Sequence, residues 1–376
     1  MRRPLNFASG PAMLPGEVLQ QAREEMLDWR GSGVSVLEMP FTSPEYQTIA
    51  AEAAADLGQL LALPDRHRIL FLQGGAYAHF ALLAMNLMGG RRRAADYVLT
   101  GLWSARAASE GGRYGAIHIA ASGEADGFTR IPPQAEWRLD PQAAYCHLVS
   151  NETANGVQFH WLPDTGLVPL VADMTSDFLS RPIDVSRFGL IYAGAQKNAG
   201  CAGLTVILIR DDLLDRALEQ TPAVFNYGLQ AGCDGRVNTP PTFAVYVAGL
   251  MFAWIRRQGG LEVIARNNRR KSEKLYAAID ESGFYRCPVA GADRSLTNVC
   301  FRLPTQALEA EFLAEGRRRG LVHLEGHAAA GGLRASLYNA MPAEGVDALI
   351  DFMHEFAIRH HALGKCGAAR ESATRA

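Results

Sequence analysis

The chain has no apolar run long enough to cross a bilayer. Its longest, Ala244 to Ile255, is interrupted by Gly249 and falls well short of the ~20 residues a spanning helix needs. The opening residues, Met1-Arg2-Arg3-Pro4-Leu5-Asn6, do not lead into the apolar core of a secretory signal. An excess of charge is missing too. Lys and Arg total 37 against 39 Asp and Glu, a net charge of −2, which argues against a nucleic-acid or membrane-surface partner. Six cysteines (146, 201, 233, 287, 300 and 366) lie scattered, with no Cys-x-x-Cys pair and no histidine cluster at metal-ligand spacing. They read as reduced thiols, neither a disulfide framework nor a metal site. Internal repeats are also lacking. The expectation is a cytoplasmic protein with no metal, no nucleic-acid partner and no membrane partner.

What is present is enough apolar mass for a sizeable core: 48% hydrophobic residues in a chain of 376, a length that suggests about two domains. Strand-like runs at 68–72, 96–100, 117–121, 145–149, 167–173, 188–193 and 204–210 are separated in several places by helical stretches, such as 79–88 and 103–111. That alternation predicts an α/β domain around a largely parallel sheet. Two long helices follow, on either side of Gly259-Gly260, and then a strand–helix–strand–helix unit of different texture. The expected division is an N-terminal segment over 1–16 near the site, a large domain over 17–258, a small α+β domain over 259–362, and a disordered tail over 363–376.

Ligands of such sheets gather beyond the carboxyl ends of the strands, where Gly74-Gly75, Thr153, Asp173 and Lys197 would all fall. Lys197 stands among small residues, in Ala193-Gly194-Ala195-Gln196-Lys197-Asn198-Ala199-Gly200, directly after an apolar strand. Desolvation there would lower its pKa and free the amine to form a Schiff base. Upstream, Leu167-Val168-Pro169-Leu170-Val171-Ala172-Asp173 is an apolar run ending in an acid. A lysine and an aspartate at the ends of two strands form the pair that pyridoxal 5'-phosphate requires, amine for its aldehyde carbon and carboxylate for its ring nitrogen.

Longer motifs sharpen this. Asn6-Phe7-Ala8-Ser9-Gly10-Pro11-Ala12-Met13-Leu14-Pro15, Asn151-Glu152-Thr153, Arg181-Pro182-Ile183-Asp184-Val185, Tyr192-Ala193-Gly194-Ala195-Gln196-Lys197-Asn198, Asn238-Thr239-Pro240-Pro241-Thr242 and Gly331-Gly332-Leu333-Arg334-Ala335-Ser336 occur in this order. With them the chain resembles the phosphoserine aminotransferase family, over about Asn6 to His361. The resemblance implies the pyridoxal-phosphate-dependent transferase fold of type I, with a seven-stranded-type, mostly parallel sheet in the large domain. It also implies a transaminase acting on an α-amino acid and a 2-oxo acid. Lys197 would carry the cofactor and shuttle a proton, and Asp173 would hold the ring nitrogen protonated. Trp103 would stack on the ring and Thr153 would contact its phenolic oxygen. The N–H groups of Ala76 and Tyr77, with Gln196, would hold the cofactor phosphate. Asn238 and Thr239 would reach that phosphate from a second subunit, making the protein a homodimer with shared sites. Arg334 would clamp the substrate α-carboxylate.

One region departs from the family. Its members grip the substrate's distal anion with cations, commonly a His-Arg pair where this chain has Phe41-Thr42 and another where it has His327-Ala328, and in some members an arginine in place of Tyr77. Two lost arginine contacts would forfeit about 3–6 kcal/mol at roughly 1.5–3 kcal/mol each. The expectation is therefore an amino acid with an uncharged side chain, with His327, Phe41 and Thr42 at the substrate end. The alternative is a phosphoserine:2-oxoglutarate aminotransferase that recruits other cations. Arg30, Arg106 and Arg181 are candidates that the sequence does not place. A lyase or a desulfurase using Cys201 ranks behind both.

Overall fold

The computed structural model describes residues 3–90 and 93–373, with side chains through His360. Seven strands form the central sheet: β1 (His67–Leu72), β2 (Ala94–Leu99), β3 (Ala116–Ser122), β4 (Cys146–Val149), β5 (Leu170–Asp173), β6 (Leu190–Gly194) and β7 (Thr205–Arg210). Their spatial order is β1-β7-β6-β5-β4-β2-β3. Only β7 runs against its neighbours; β2 through β6 pair in parallel. The α/β class expected from the alternation is the one observed. The central strands β4, β5 and β6 are buried at every residue. They read as unbroken apolar runs because both faces of a parallel sheet are covered by helices.

Four helices matter for the site or its support. Helix α1 (Pro44–Leu60) begins at Ser43, whose hydroxyl accepts from Tyr46 N at 3.3 Å, with Pro44 at the first helical position. Helix α2 (Gly75–Leu87) follows β1, and α3 (Leu102–Gly111) follows β2. Helix α4 (Thr242–Arg257) packs on α1, and together they cover one face of the sheet. The opposite face is covered by α2 and α3.

Helix α5 (Gly260–Glu281) begins where the sequence places its domain boundary, yet it serves two cores. Leu261 and Ile264 belong to the core of the large sheet, while Leu275, Tyr276 and Ile279 belong to that of the C-terminal unit. That second unit pairs β8 (Asn298–Phe301) with β9 (Leu333–Ser336) and packs them on α6 (Gln306–Arg318) and α7 (Ala343–Ala373). The N-terminal segment joins it: Leu5 and Asn6 pair in parallel with Leu321 and Val322, and Phe7 is wholly buried in the same core. The backbone of α7 stays helical to Ala373, through most of the stretch expected to be a disordered tail; residues 374–376 lie outside the described residues.

Lys271 on α5 is buried, with no acid paired to it among the described residues. It donates to the carbonyls of Leu337, Tyr338 and Met341 at 3.3, 3.0 and 2.9 Å, and burial lowers its pKa to about 7. It thereby ties the bridging helix to the turn that follows β9. Phe312 sits at the centre of an aromatic cluster in this unit, 4.5 Å from the Phe352 ring and 5.2 Å from that of Phe356. Phe312→Ala should cost about 3–5 kcal/mol through the cavity it leaves. Leu167→Ala, at a side chain 96% exposed, should shift stability by less than ~0.5 kcal/mol. Denaturant melts of the two variants check the contrast; equal losses would mean the aromatic cluster is not a cooperative core.

Candidate active site

The parallel strands deliver their following loops to one edge of the sheet. Asp173 is the last residue of β5, and Lys197 comes three residues after β6. Thr153 lies four residues past β4, Trp103 four past β2, and Gly74 two past β1. These loops meet Arg334 of β9 and the segment Ser9-Gly10 around a cavity of about 320 Å³. Ala76, Tyr77, Asn151, Thr175, Ser176, Gln196 and His327 complete much of its wall. The N-terminal segment passes very close to the lysine. A Cβ on Gly10, whose φ is +137°, would stand 3.4 Å from the Cγ atoms of both Gln196 and Lys197.

Lys197 Nζ donates to Thr153 Oγ1 at 2.6 Å. Burial pushes its pKa down to about 8, opposed by the nearby Asp173 carboxylate and assisted by the Arg334 guanidinium. The partial exposure it retains is toward the cavity it lines. Asp173 Oδ1 accepts from Thr175 N at 2.8 Å. Burial raises the Asp173 pKa, while the Thr175 hydrogen bonds and Lys197 pull the other way. A carboxylate buried so deeply gains from a cation brought against it.

Arg334 is 7% exposed and has no carboxylate partner among the described residues. It donates to the Thr153 carbonyl at 3.0 Å and to Ser9 Oγ at 2.7 Å, and its Nε is buried without a partner. Trp103 is set by Glu152, a buried acid whose carboxylate accepts from Trp103 N at 3.0 Å, Ser104 N at 2.8 Å and Ser104 Oγ at 2.6 Å, closing the first turn of α3. The Trp103 ring lies edge-on to His327 at 5.9 Å and beneath the Arg106 guanidinium at 5.1 Å.

Nine of the residues singled out from the sequence thus share one cavity: Ala76, Tyr77, Trp103, Thr153, Asp173, Gln196, Lys197, His327 and Arg334. Four do not. Phe41, expected at the substrate end, is half-buried against the core of the large sheet, just ahead of α1. Thr42 beside it is exposed, its carbonyl taken by Gln47 Nε2 at 3.0 Å. Asn238 and Thr239 also lie outside this cavity; the Thr239 carbonyl accepts from Gln73 Nε2 at 2.8 Å. Of the three arginines offered as replacements, only Arg106 lines the cavity. Arg30 pairs with Glu52 at 2.8 Å, and Arg181 donates to the Phe159 carbonyl. Ser9 and Glu152 sat unremarked inside motifs that were already informative; their roles depend on contacts 325 and 49 residues away in sequence. Cys201 is outside the cavity, and burial raises its pKa, the reverse of what a reactive thiolate requires.

The wall suits pyridoxal phosphate. A deprotonatable amine, a buried carboxylate short of positive charge and an indole face occupy one cavity, and the N-terminus of α2 supplies N–H groups suited to a phosphate. Gly74 makes that approach possible, with φ +111° and a position where a Cβ would come within 2.8 Å of Ala78 Cβ.

Comparison with known proteins decides the family. The aminotransferase class-V profile matches residues 5–349. The chain belongs to the class-V aminotransferases. It is 55% identical over 356 residues to a phosphoserine aminotransferase from Laribacter hongkongensis, covering 94% of this chain and 99% of that one. Among solved structures, phosphoserine aminotransferase from Bacillus circulans subsp. alkalophilus superposes with a TM-score of 0.93 at 44% identity, covering 95% of this chain and 99% of that chain. A pyridoxal-phosphate-bound phosphoserine aminotransferase from Trichomonas vaginalis gives 0.90 at 37%, covering 93% and 99%. The protein is a pyridoxal-phosphate-dependent aminotransferase of fold type I, working on amino and 2-oxo acids. Among the described residues no helix is long and apolar enough to cross a membrane, and no group of His, Cys, Asp and Glu could hold a metal ion.

Lys197 should reveal its lowered pKa directly. In the cofactor-free protein, the rate of covalent cofactor attachment should climb about tenfold per pH unit below pH 8 and level off above it. An ordinary lysine would keep gaining to about pH 10.4. Stopped-flow absorbance across pH 6–10 separates the two, and a profile still rising at pH 10 would contradict the buried environment described.

Proposed function

We propose that the protein is a phosphoserine:2-oxoglutarate aminotransferase. The observation that carries this reading is the charge of the cavity wall: Arg106, Arg334 and Lys197 face a single carboxylate, Asp173. Asp173 is committed to the ring nitrogen of the cofactor, and Lys197 gives up its proton to react. Two guanidinium groups are then left for two anionic groups on the substrate. The names of relatives at 51–55% identity agree with that reading. It departs from the neutral side chain expected from the sequence, because Arg106 lines the cavity and adds a cation to its wall.

Bound pyridoxal phosphate supplies the electron sink that makes the substrate Cα–H acidic. The chain's residues do the rest. Lys197 Nζ, held by Thr153 and uncharged at mildly alkaline pH, would take and hold the proton from the substrate Cα. Asp173 keeps the ring nitrogen protonated. The indole of Trp103, positioned through Glu152, covers one face of the ring. Arg334 takes the α-carboxylate, for which it has a buried Nε still unpaired. The N–H groups of Ala76 and Tyr77, with Gln196, hold the cofactor phosphate.

The working form in this reading is a cytoplasmic homodimer. Asn238 and Thr239 stand outside the cavity of their own chain, which is what this reading requires of residues that would serve a second copy. Leu37, Phe225 and Leu229 are exposed apolar side chains suited to an interface.

Mixing holoenzyme with single amino acids and following the cofactor absorbance tests the substrate. Phosphoserine and glutamate should convert it rapidly, and serine, alanine and leucine at least tenfold more slowly. Conversion by neutral amino acids alone would return the assignment to an uncharged substrate. Lys197→Ala should still bind cofactor but show no turnover. Arg334→Gln should lower kcat/KM by about 10- to 10²-fold for every amino acid, the worth of one charged hydrogen bond at roughly 1.5–3 kcal/mol.

A further inference from the structure

Arg106 is a guanidinium without a counter-ion. No carboxylate lies within ion-pair distance of it among the described residues. The acid one turn along α3, Glu110, is engaged instead by Arg113 at 3.0 Å. Arg106 is half-buried over the Trp103 ring and lines the cavity. Across the indole, His327 accepts from Ala329 N through Nδ1 at 3.1 Å, which leaves Nε2 to carry the ring proton and to donate. Desolvation, reinforced by Arg334 and Arg106, lowers the His327 pKa, so the ring is a neutral donor near pH 7. A cation and an N–H donor therefore both adjoin the Trp103 indole, Arg106 over its face and His327 against it edge to face.

The positions at which the family carries its cations hold Phe41, Thr42, Tyr77 and Ala328 here, none of them positively charged. Among the described residues Phe41 and Thr42 are not in the cavity, and Tyr77 presents a phenol in place of a charge. We infer that Arg106, seconded by His327, is the specificity-determining residue for the substrate's side-chain anion. It replaces the absent cations with one guanidinium delivered from α3. The inference rests on the aminotransferase reading above and deepens it, because both partners of the reaction must use the same subsite. A planar fork of donors accepts a phosphate from one and a carboxylate from the other, which a point-charge ammonium does less well.

The test uses holoenzyme and four amino acids, phosphoserine against serine and glutamate against glutamine, each in the single-turnover half-reaction. The quantity read is the ratio of kcat/KM for the acidic member to that for its neutral counterpart. Arg106→Gln should reduce both ratios by about 10- to 10²-fold, the loss expected for one charged hydrogen bond. Arg106→Lys should recover part of that loss, which a purely structural role over Trp103 would not predict. Wild-type ratios well above one that Arg106→Gln leaves unmoved would overturn the inference while leaving the phosphoserine assignment intact. A wild type that favours glutamate but not phosphoserine, with that preference lost in Arg106→Gln, would uphold the inference and sink the phosphate assignment. A wild type with no preference for acidic side chains would overturn both.

Discussion

A buried guanidinium with no carboxylate partner among the described residues holds this site together. Arg334 leaves β9 in the C-terminal unit, donates to Ser9 of the N-terminal segment and donates again to the Thr153 carbonyl in the loop after β4. Three parts of the chain, 325 residues apart at the extremes, are joined by two hydrogen bonds from one side chain. Two of its N–H groups are taken by those oxygens, and its Nε is buried without a partner, a demand that an anion would meet.

The surrounding structure keeps these groups in register. Tyr338, two residues beyond β9, donates to the Ser9 carbonyl, and Asn339 N donates to the side chain of Asn198, next to the reactive lysine. Asn268 and Lys271 of the bridging helix hold the same turn. A shift of the small unit against the sheet would therefore move Arg334 and the lysine loop together. Glu152 does similar work on the other side, binding the first turn of α3 so that Trp103 and Arg106 project into the cavity. The acid is buried and its pKa raised by that burial, while three hydrogen bonds from Trp103 and Ser104 oppose the shift.

Much of the sheet was legible because buried parallel strands are written as unbroken apolar runs; the run ending at Asp173 and the run before Lys197 are β5 and β6. The carboxyl-end rule then placed Lys197, Asp173, Thr153 and Gly74 at one edge without any contact being known. Domain boundaries were less legible. Gly259-Gly260 marks the start of α5, but one amphipathic helix serves two cores, and its pattern does not say which neighbour each turn meets. The N-terminal segment gave no sign that Phe7 is buried among residues of the C-terminal unit. Arg106 was one arginine among many, since a helix pattern does not say whether a partly exposed cation faces solvent or a cavity.

The chemistry was determined locally. The cofactor and the reaction type are carried by obligatory side chains at strand ends, in short motifs whose meaning does not depend on remote partners. The charge of the cavity wall was decided by tertiary structure alone. Arg106 from α3, His327 from the loop before β9 and Arg334 from β9 become neighbours only when the small unit closes on the sheet. Phe41 packs on the core of the large sheet, and Thr42 beside it is exposed. Electrostatic energy depends on distance and burial, and neither is a property of sequence spacing.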